Sequence, residues 1–135
     1  MIDYPSLKDV RILIVEDDAH FAKSMKRMLS RLGCVVTATA TSVEEAFAAI
    51  KEPVVFDCVI LDVRLGPEIT CNIAGDLVRR EVPLIVCSGY DIRLPGMNIP
   101  VLSKPHTLGE LRKALMKALR LLQPTVAEAP KFGLA

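Results

Sequence analysis

The stretch Ile12-Leu13-Ile14-Val15-Glu16-Asp17-Asp18 decides how this chain is read. Four apolar residues in succession have the length and character of a strand covered on both faces, as in a parallel sheet. Three acids follow at once, so the carboxyl end of that strand carries concentrated negative charge. Comparable apolar runs lie at residues 34–38, 56–61, 84–87 and 99–102.

Helical patterns fill most of the intervals. Phe21, Met25, Met28, Leu29 and Leu32 form one stripe, which Gly33 stops. Ser42 and Glu45 form a capping box before the stripe Val43, Ala46, Phe47 and Ile50, and Pro53 ends that helix. Ile69, Ile73, Leu77 and Val78 keep the period of a third helix that Asn72 and Gly75 weaken. Thr107 and Glu110 open the last one, with Leu108, Leu111, Leu115, Ala118 and Leu122 inward and Pro124 as its stop. Residues 90–98 include Pro95 and Gly96 and hold no helical period. The expected fold is therefore α/β: a flavodoxin-like, doubly wound, five-stranded parallel sheet of strand order 2-1-3-4-5, with a shortened or irregular fourth helix. The expected organisation is an N-terminal lead at 1–8, one domain at 9–122 and a flexible tail at 123–135.

The 135 residues suit one domain, and 51% hydrophobic against 24% charged residues describes a globular chain rather than a disordered one. A formal charge of +1 offers no global field toward nucleic acid or membrane. No helix-turn-helix follows residue 122, which argues against DNA binding. No apolar run approaches the roughly 20 residues of a membrane span, and the first eight residues lack a signal-peptide core. The expectation is a cytoplasmic protein with no membrane insertion. Cys34, Cys58 and Cys87 fall in apolar runs and Cys71 stands apart; without a CxxC pair they read as reduced packing residues.

In open parallel α/β sheets, ligands bind at the carboxyl ends of the strands. Those ends carry Glu16, Asp17 and Asp18, then Asp62, then Ser88, then Lys104. With strands about 4.8 Å apart, the third strand places Asp62 between the acids and Ser88. Lys104 is two strands away, within reach of its flexible stem. Clustered carboxylates repel unless a cation joins them, and hard oxygen ligands suit Mg²⁺. A carboxylate so placed can attack phosphorus to give an acyl phosphate, while Lys104 and Ser88 supply donors to the transferred oxygens. Taken singly, Asp17 or Asp18 reads as a helix cap, Asp62 as a loop residue, Ser88 as a turn residue and Lys104 as a solvated cation. Their convergence on one edge argues for a site.

Residues 12–18, Asp57-Cys-Val-Ile-Leu-Asp62, Val86-Cys-Ser-Gly89 and Ser103-Lys-Pro105 together resemble the CheY-like response-regulator receiver domain of two-component systems. The resemblance implies that Asp62 is the phosphoacceptor, fed by a sensor histidine kinase or phosphotransfer protein. It implies Mg²⁺ held by Glu16, Asp17 and Asp62 with the backbone carbonyl of Arg64, Ser88 as the switch hydroxyl and Lys104 as its lysine partner. Asp18 matches nothing in the family and reads as the helix cap. Such a single-domain regulator signals by phosphorylation-dependent contact with a downstream protein. It catalyses only its own phosphorylation and dephosphorylation.

The departures are specific. Val101 stands where the family usually has an aromatic residue, the span from Ser88 to Lys104 is short, and Val-Arg-Leu-Gly-Pro-Glu follows Asp62. Ser88-Gly89-Tyr90 is similar to the Thr-Gly-Tyr-type signature of an alphaproteobacterial subgroup. Arg64 and Tyr90, each two residues past a site residue, either shield the acyl phosphate from water or point to solvent. Arg112, Lys113, Lys117 and Arg120 on the last helix form either a docking patch or a solvated face. Two rival functions are a degenerate receiver that binds without phosphorylation and an aspartyl-phosphate-forming phosphohydrolase. The second usually has an acid two residues after the nucleophile, and Arg64 holds that position.

Overall fold

The computed structural model describes residues 6–51, 55–62, 67–88, 99–104 and 106–119. In chain order these form β1 (Arg11–Val15), α1 (Ala19–Arg31), β2 (Val35–Ala40), α2 (Val43–Ile50), β3 (Cys58–Asp62), α3 (Pro67–Arg79), β4 (Leu84–Ser88), β5 (Val101–Ser103) and α4 (Leu108–Ala118). The five strands pair in parallel in the order β2-β1-β3-β4-β5, the flavodoxin-like arrangement expected. Residues 90–98, Leu122 and the 123–135 tail lie largely or wholly outside the described residues, so the expectations placed on them do too.

Why the central strands are apolar but for Arg11, Asp62 and Ser88 at their ends follows from the pleat. Successive side chains point to opposite faces, and both faces are covered. Leu13 and Val15 of β1, with Val59, Leu61 and Val86, pack against Ala46 and Ile50 of α2 and Ile73, Ala74 and Leu77 of α3. Ile12 and Ile14, with Cys58, Ile60, Ile85 and Cys87, pack against Met25 and Leu29 of α1 and Leu111 and Leu115 of α4. Each fully buried side chain of this size stabilises the fold by roughly 1.5–3 kcal/mol before entropy is counted. All four cysteines are free: Cys34, Cys58 and Cys87 are buried and Cys71 is partly so.

The edge strands depart from the expected double coverage. β2 has only Ala40 fully buried, and β5 only Leu102, because each has a neighbour on one side alone. Two stripe residues are also corrected. Phe47 and Val78 are exposed rather than inward, and Phe47 lines an open groove of about 660 Å³ with Cys71, Gly75 and Arg79. The buried stripe of α3 instead includes Ala74 and the polar Thr70.

Helix ends follow local chemistry. Asp18 caps α1, its side chain accepting from the N–H groups of His20 and Phe21 at 2.9 and 3.2 Å. Gly33, at φ +92°, closes α1: its N–H donates to Ser30 O while Cys34 N–H donates to Leu29 O, both at 3.0 Å. A Cβ there would meet Lys8 Cα at 3.2 Å, so this turn suits glycine on two counts. The Thr107–Glu110 capping box is complete. At α2, Ser42 accepts from Glu45 N–H, but the Glu45 carboxylate turns to Thr41 instead of closing the box on Ser42.

Candidate phosphoacceptor and metal site

The site is assembled by strand ends. Glu16 follows the last residue of β1, its N–H donating to Ala40 O at 2.9 Å. Asp62 closes β3 beside Cys87, and Ser88 closes β4 beside Ser103. The N–H of Lys104 then donates to Ser88 O at 2.7 Å, which fixes the root of the lysine over the neighbouring strand. Glu16, Asp62 and Ser88 are buried, and Asp17 is exposed.

From that root Lys104 reaches back across the sheet. Its Nζ lies 3.1 Å from Glu16 Oε1 and 3.1 Å from Asp62 Oδ1. The second Glu16 oxygen accepts from Asp18 N–H at 3.1 Å. Burial, and then the Asp62 carboxylate beside it, raise the Glu16 pKa from its ordinary 4.5 to about 7; Asp18 N–H and Lys104 oppose the shift. For Lys104, burial disfavours the ammonium, but hydrogen bonds to Asp62 and Glu16 outweigh it and hold the pKa above its ordinary value. One lysine thus serves two crowded carboxylates, and the cluster has room for more positive charge.

Carboxylate oxygens of Glu16, Asp17 and Asp62 all lie within 4.8 Å of one another. Three hard oxygen donors, two buried and one open to water, fit a Mg²⁺ that keeps part of its hydration shell. Of the six site residues read from sequence, five converge here: Glu16, Asp17, Asp62, Ser88 and Lys104. Arg64 and Tyr90 lie outside the described residues.

Two residues at this edge carry contacts that the sequence did not announce. Lys104 Nζ sits 4.0 Å from the centroid of the Phe21 ring. The His106 ring meets Phe21 edge-on, with centroids 5.9 Å apart and planes at 82°. Burial lowers the His106 pKa, against the opposing pull of the Thr107 carbonyl and Glu110. In the periodicity of α1, Phe21 is one more apolar stripe residue; no spacing rule connects it to position 104.

Residues 12–116 match the family model of the response regulator receiver domain. The chain belongs to that family, and its class is the CheY-like receiver of two-component signalling. No curated protein matches. Among solved structures, SdrG from Sphingomonas melonis Fr1 is similar at 30% identity and TM-score 0.68, covering 83% of this chain and 97% of that one. The receiver domain of the Erythrobacter litoralis PhyR response regulator shares the fold at 22% identity and TM-score 0.65, covering 89% and 98%. So does TrrA from Thermotoga maritima, solved in complex with Mg²⁺ and BeF, at 23% identity, TM-score 0.70, and coverage of 82% and 99%. No helix among the described residues is long and apolar enough to cross a membrane.

Proposed function

We propose that this receiver takes a phosphoryl group onto Asp62 and passes the signal on by phosphorylation-dependent contact with another protein. The observation that carries the reading is the bridge of Lys104 to both Asp62 and Glu16, with Ser88 ending the adjacent strand. An oxygen of Asp62 attacks the phosphorus of a phosphohistidine on a kinase or phosphotransfer protein; the new O–P bond forms as the P–N bond breaks, and the imidazole leaves. Lys104 holds an ammonium beside the acceptor oxygen, where the transferred oxygens concentrate charge. Ser88 presents a hydroxyl from the next strand, suited to hydrogen-bond the phosphoryl group and bias the segment after it.

Glu16, Asp17 and Asp62 would hold the Mg²⁺, with the Arg64 carbonyl as the further ligand that the family resemblance supplies. Bound there, the ion neutralises charge on the transferring group. The reading places the protein in the cytoplasm, gives it no turnover beyond its own phosphorylation and dephosphorylation, and assigns Ser88-Gly89-Tyr90 to the Thr-Gly-Tyr-type subgroup.

Incubation with Mg²⁺ and a small acyl phosphate, followed by intact mass measurement, tests it. One phosphoryl adduct on the parent and none on Asp62→Asn is the expected result. Rapid multiple turnover of the donor would point to a phosphohydrolase, and no adduct on either protein to a degenerate receiver.

A further inference from the structure

We infer that Phe21 is a positioning residue for Lys104, an inference that rests on the phosphoacceptor reading of Asp62. A lysine ammonium rides on four rotatable carbons and is not held in place by its own geometry. Here its side chain is only 13% exposed and its head has three neighbours among the described residues: Glu16, Asp62 and the Phe21 ring 4.0 Å away. The negative face of an aromatic ring attracts a cation most strongly where water is scarce.

The ring is itself held from two directions. At its backbone, the Phe21 N–H donates to Asp18 Oδ1 at 3.2 Å, so the helix cap next to the metal-side acids also sets where Phe21 begins. At its edge, His106 meets it in a T-shaped contact, and His106 stands two residues after Lys104. Asp18, Phe21, Lys104 and His106 thus form a closed brace between the start of α1 and the turn after β5. Once Asp62 carries a phosphoryl group the two carboxylate contacts of Lys104 must rearrange, while the ring contact needs no change of charge at the site. The ring therefore keeps the ammonium over the acceptor when its other partners change.

An ordinary packing role predicts something different. Phe21 also touches the apolar cluster that contains Met25 and Leu111, and an aliphatic residue of similar size would serve that purpose. The test uses the full chain, Mg²⁺ and acetyl phosphate, with adduct formation followed by intact mass. Phe21→Leu is expected to be phosphorylated about five- to tenfold more slowly, the size of a partly desolvated cation–π contact. Phe21→Tyr, which keeps the ring, should stay within about twofold of the parent on the same reasoning. Mg²⁺ affinity, measured by calorimetry without phosphate donor, should not weaken in Phe21→Leu, because the ring acts on the lysine and supplies no ligand atom. If Phe21→Leu fails to fold, Phe21→Met is read in its place.

A Leu variant phosphorylated as fast as the parent overturns the inference, as does a Tyr variant as slow as Leu, or weakened Mg²⁺ binding in step with the rate. A parent that takes no adduct overturns the phosphoacceptor reading, and this inference falls with it.

Discussion

Two clusters that each join a cation to carboxylate lie at opposite ends of β1 and β3, built from the same kinds of group. At the amino ends, Arg11 grips Asp57 through Nη2 at 3.0 Å and Nε at 3.2 Å, and its N–H adds a bond of 2.8 Å. At the carboxyl ends, Lys104 bridges Glu16 and Asp62 at 3.1 Å each. The first pair is 50% and 38% exposed, whereas the carboxylates of the second are 2% and 1% exposed. Their acids respond in opposite directions. Hydrogen bonding to Arg11 holds Asp57 below its ordinary 3.8, while burial and a neighbouring carboxylate lift Glu16 to about 7. One cation per acid in water settles a carboxylate; among the described residues, one cation shared by two acids out of water leaves the Glu16 pKa raised. Such strain costs stability and is what a site for a divalent ion and a phosphoryl group requires.

The largest expected contrast is in chemistry. Asp62→Asn should abolish the phosphoryl adduct, and Asp57→Asn should leave it at parent level, both read by intact mass. Loss of the adduct in Asp57→Asn would break the comparison outright.

Stability should follow, with opposite signs at the two ends. Glu16 has a folded pKa above its ordinary 4.5, so the stability tied to its proton is complete below pH 4.5 and is lost as pH rises through about 7. Without divalent cation at pH 8, Glu16→Gln should therefore raise Tm by about 3–6 °C, since it replaces the repulsion with Asp62 by an amide that can donate to that carboxylate. At pH 4.5 and below the gain should shrink toward zero in thermal melts. A variant that melts lower than the parent at pH 8 would show that the carboxylate is not strained.

The smallest effect belongs to Asp57. Its folded pKa is depressed, so its contribution is present above 3.8 and is lost as pH falls through the lower folded value. Asp57→Asn should lower Tm at neutral pH by no more than about 2 °C, and salt should reduce the difference. Melts at acid pH should bring the two proteins together.

Much of this site was legible because the fold puts strand ends in one place. Once β1, β3 and β4 are recognised from unbroken apolar runs, Glu16, Asp62 and Ser88 must share an edge, and Lys104 needs only its own reach to join them. Asp18 was legible as a cap because its chemistry is local. Phe47 and Val78 misled because a helical period marks a face and says nothing of whether a neighbour covers that face. β2 and β5 misled similarly: the expected strand order already put both at the edges, but their apolar runs suggested the double coverage of central strands. Phe21 was illegible as a partner of Lys104 because that contact is set by how α1 crosses the turn after β5. Periodicity assigns it to the core, and only the packed chain brings its ring to the ammonium.

The burial of three of the four cysteines makes this protein a reporter of its own opening. Burial pushes the Cys34 thiol up to about 11 and the Cys87 thiol up to about 12, with Cys58 higher still, so almost none of their reactive thiolate exists at neutral pH. Cys71, by contrast, is partly exposed on α3. An alkylating reagent should mark the native chain once, at Cys71, and add further marks only as β3 or β4 leaves the sheet or the turn before β2 opens. The number of marked sulfurs, read as mass against time, then records which part of the sheet opened and when, with no foreign label introduced.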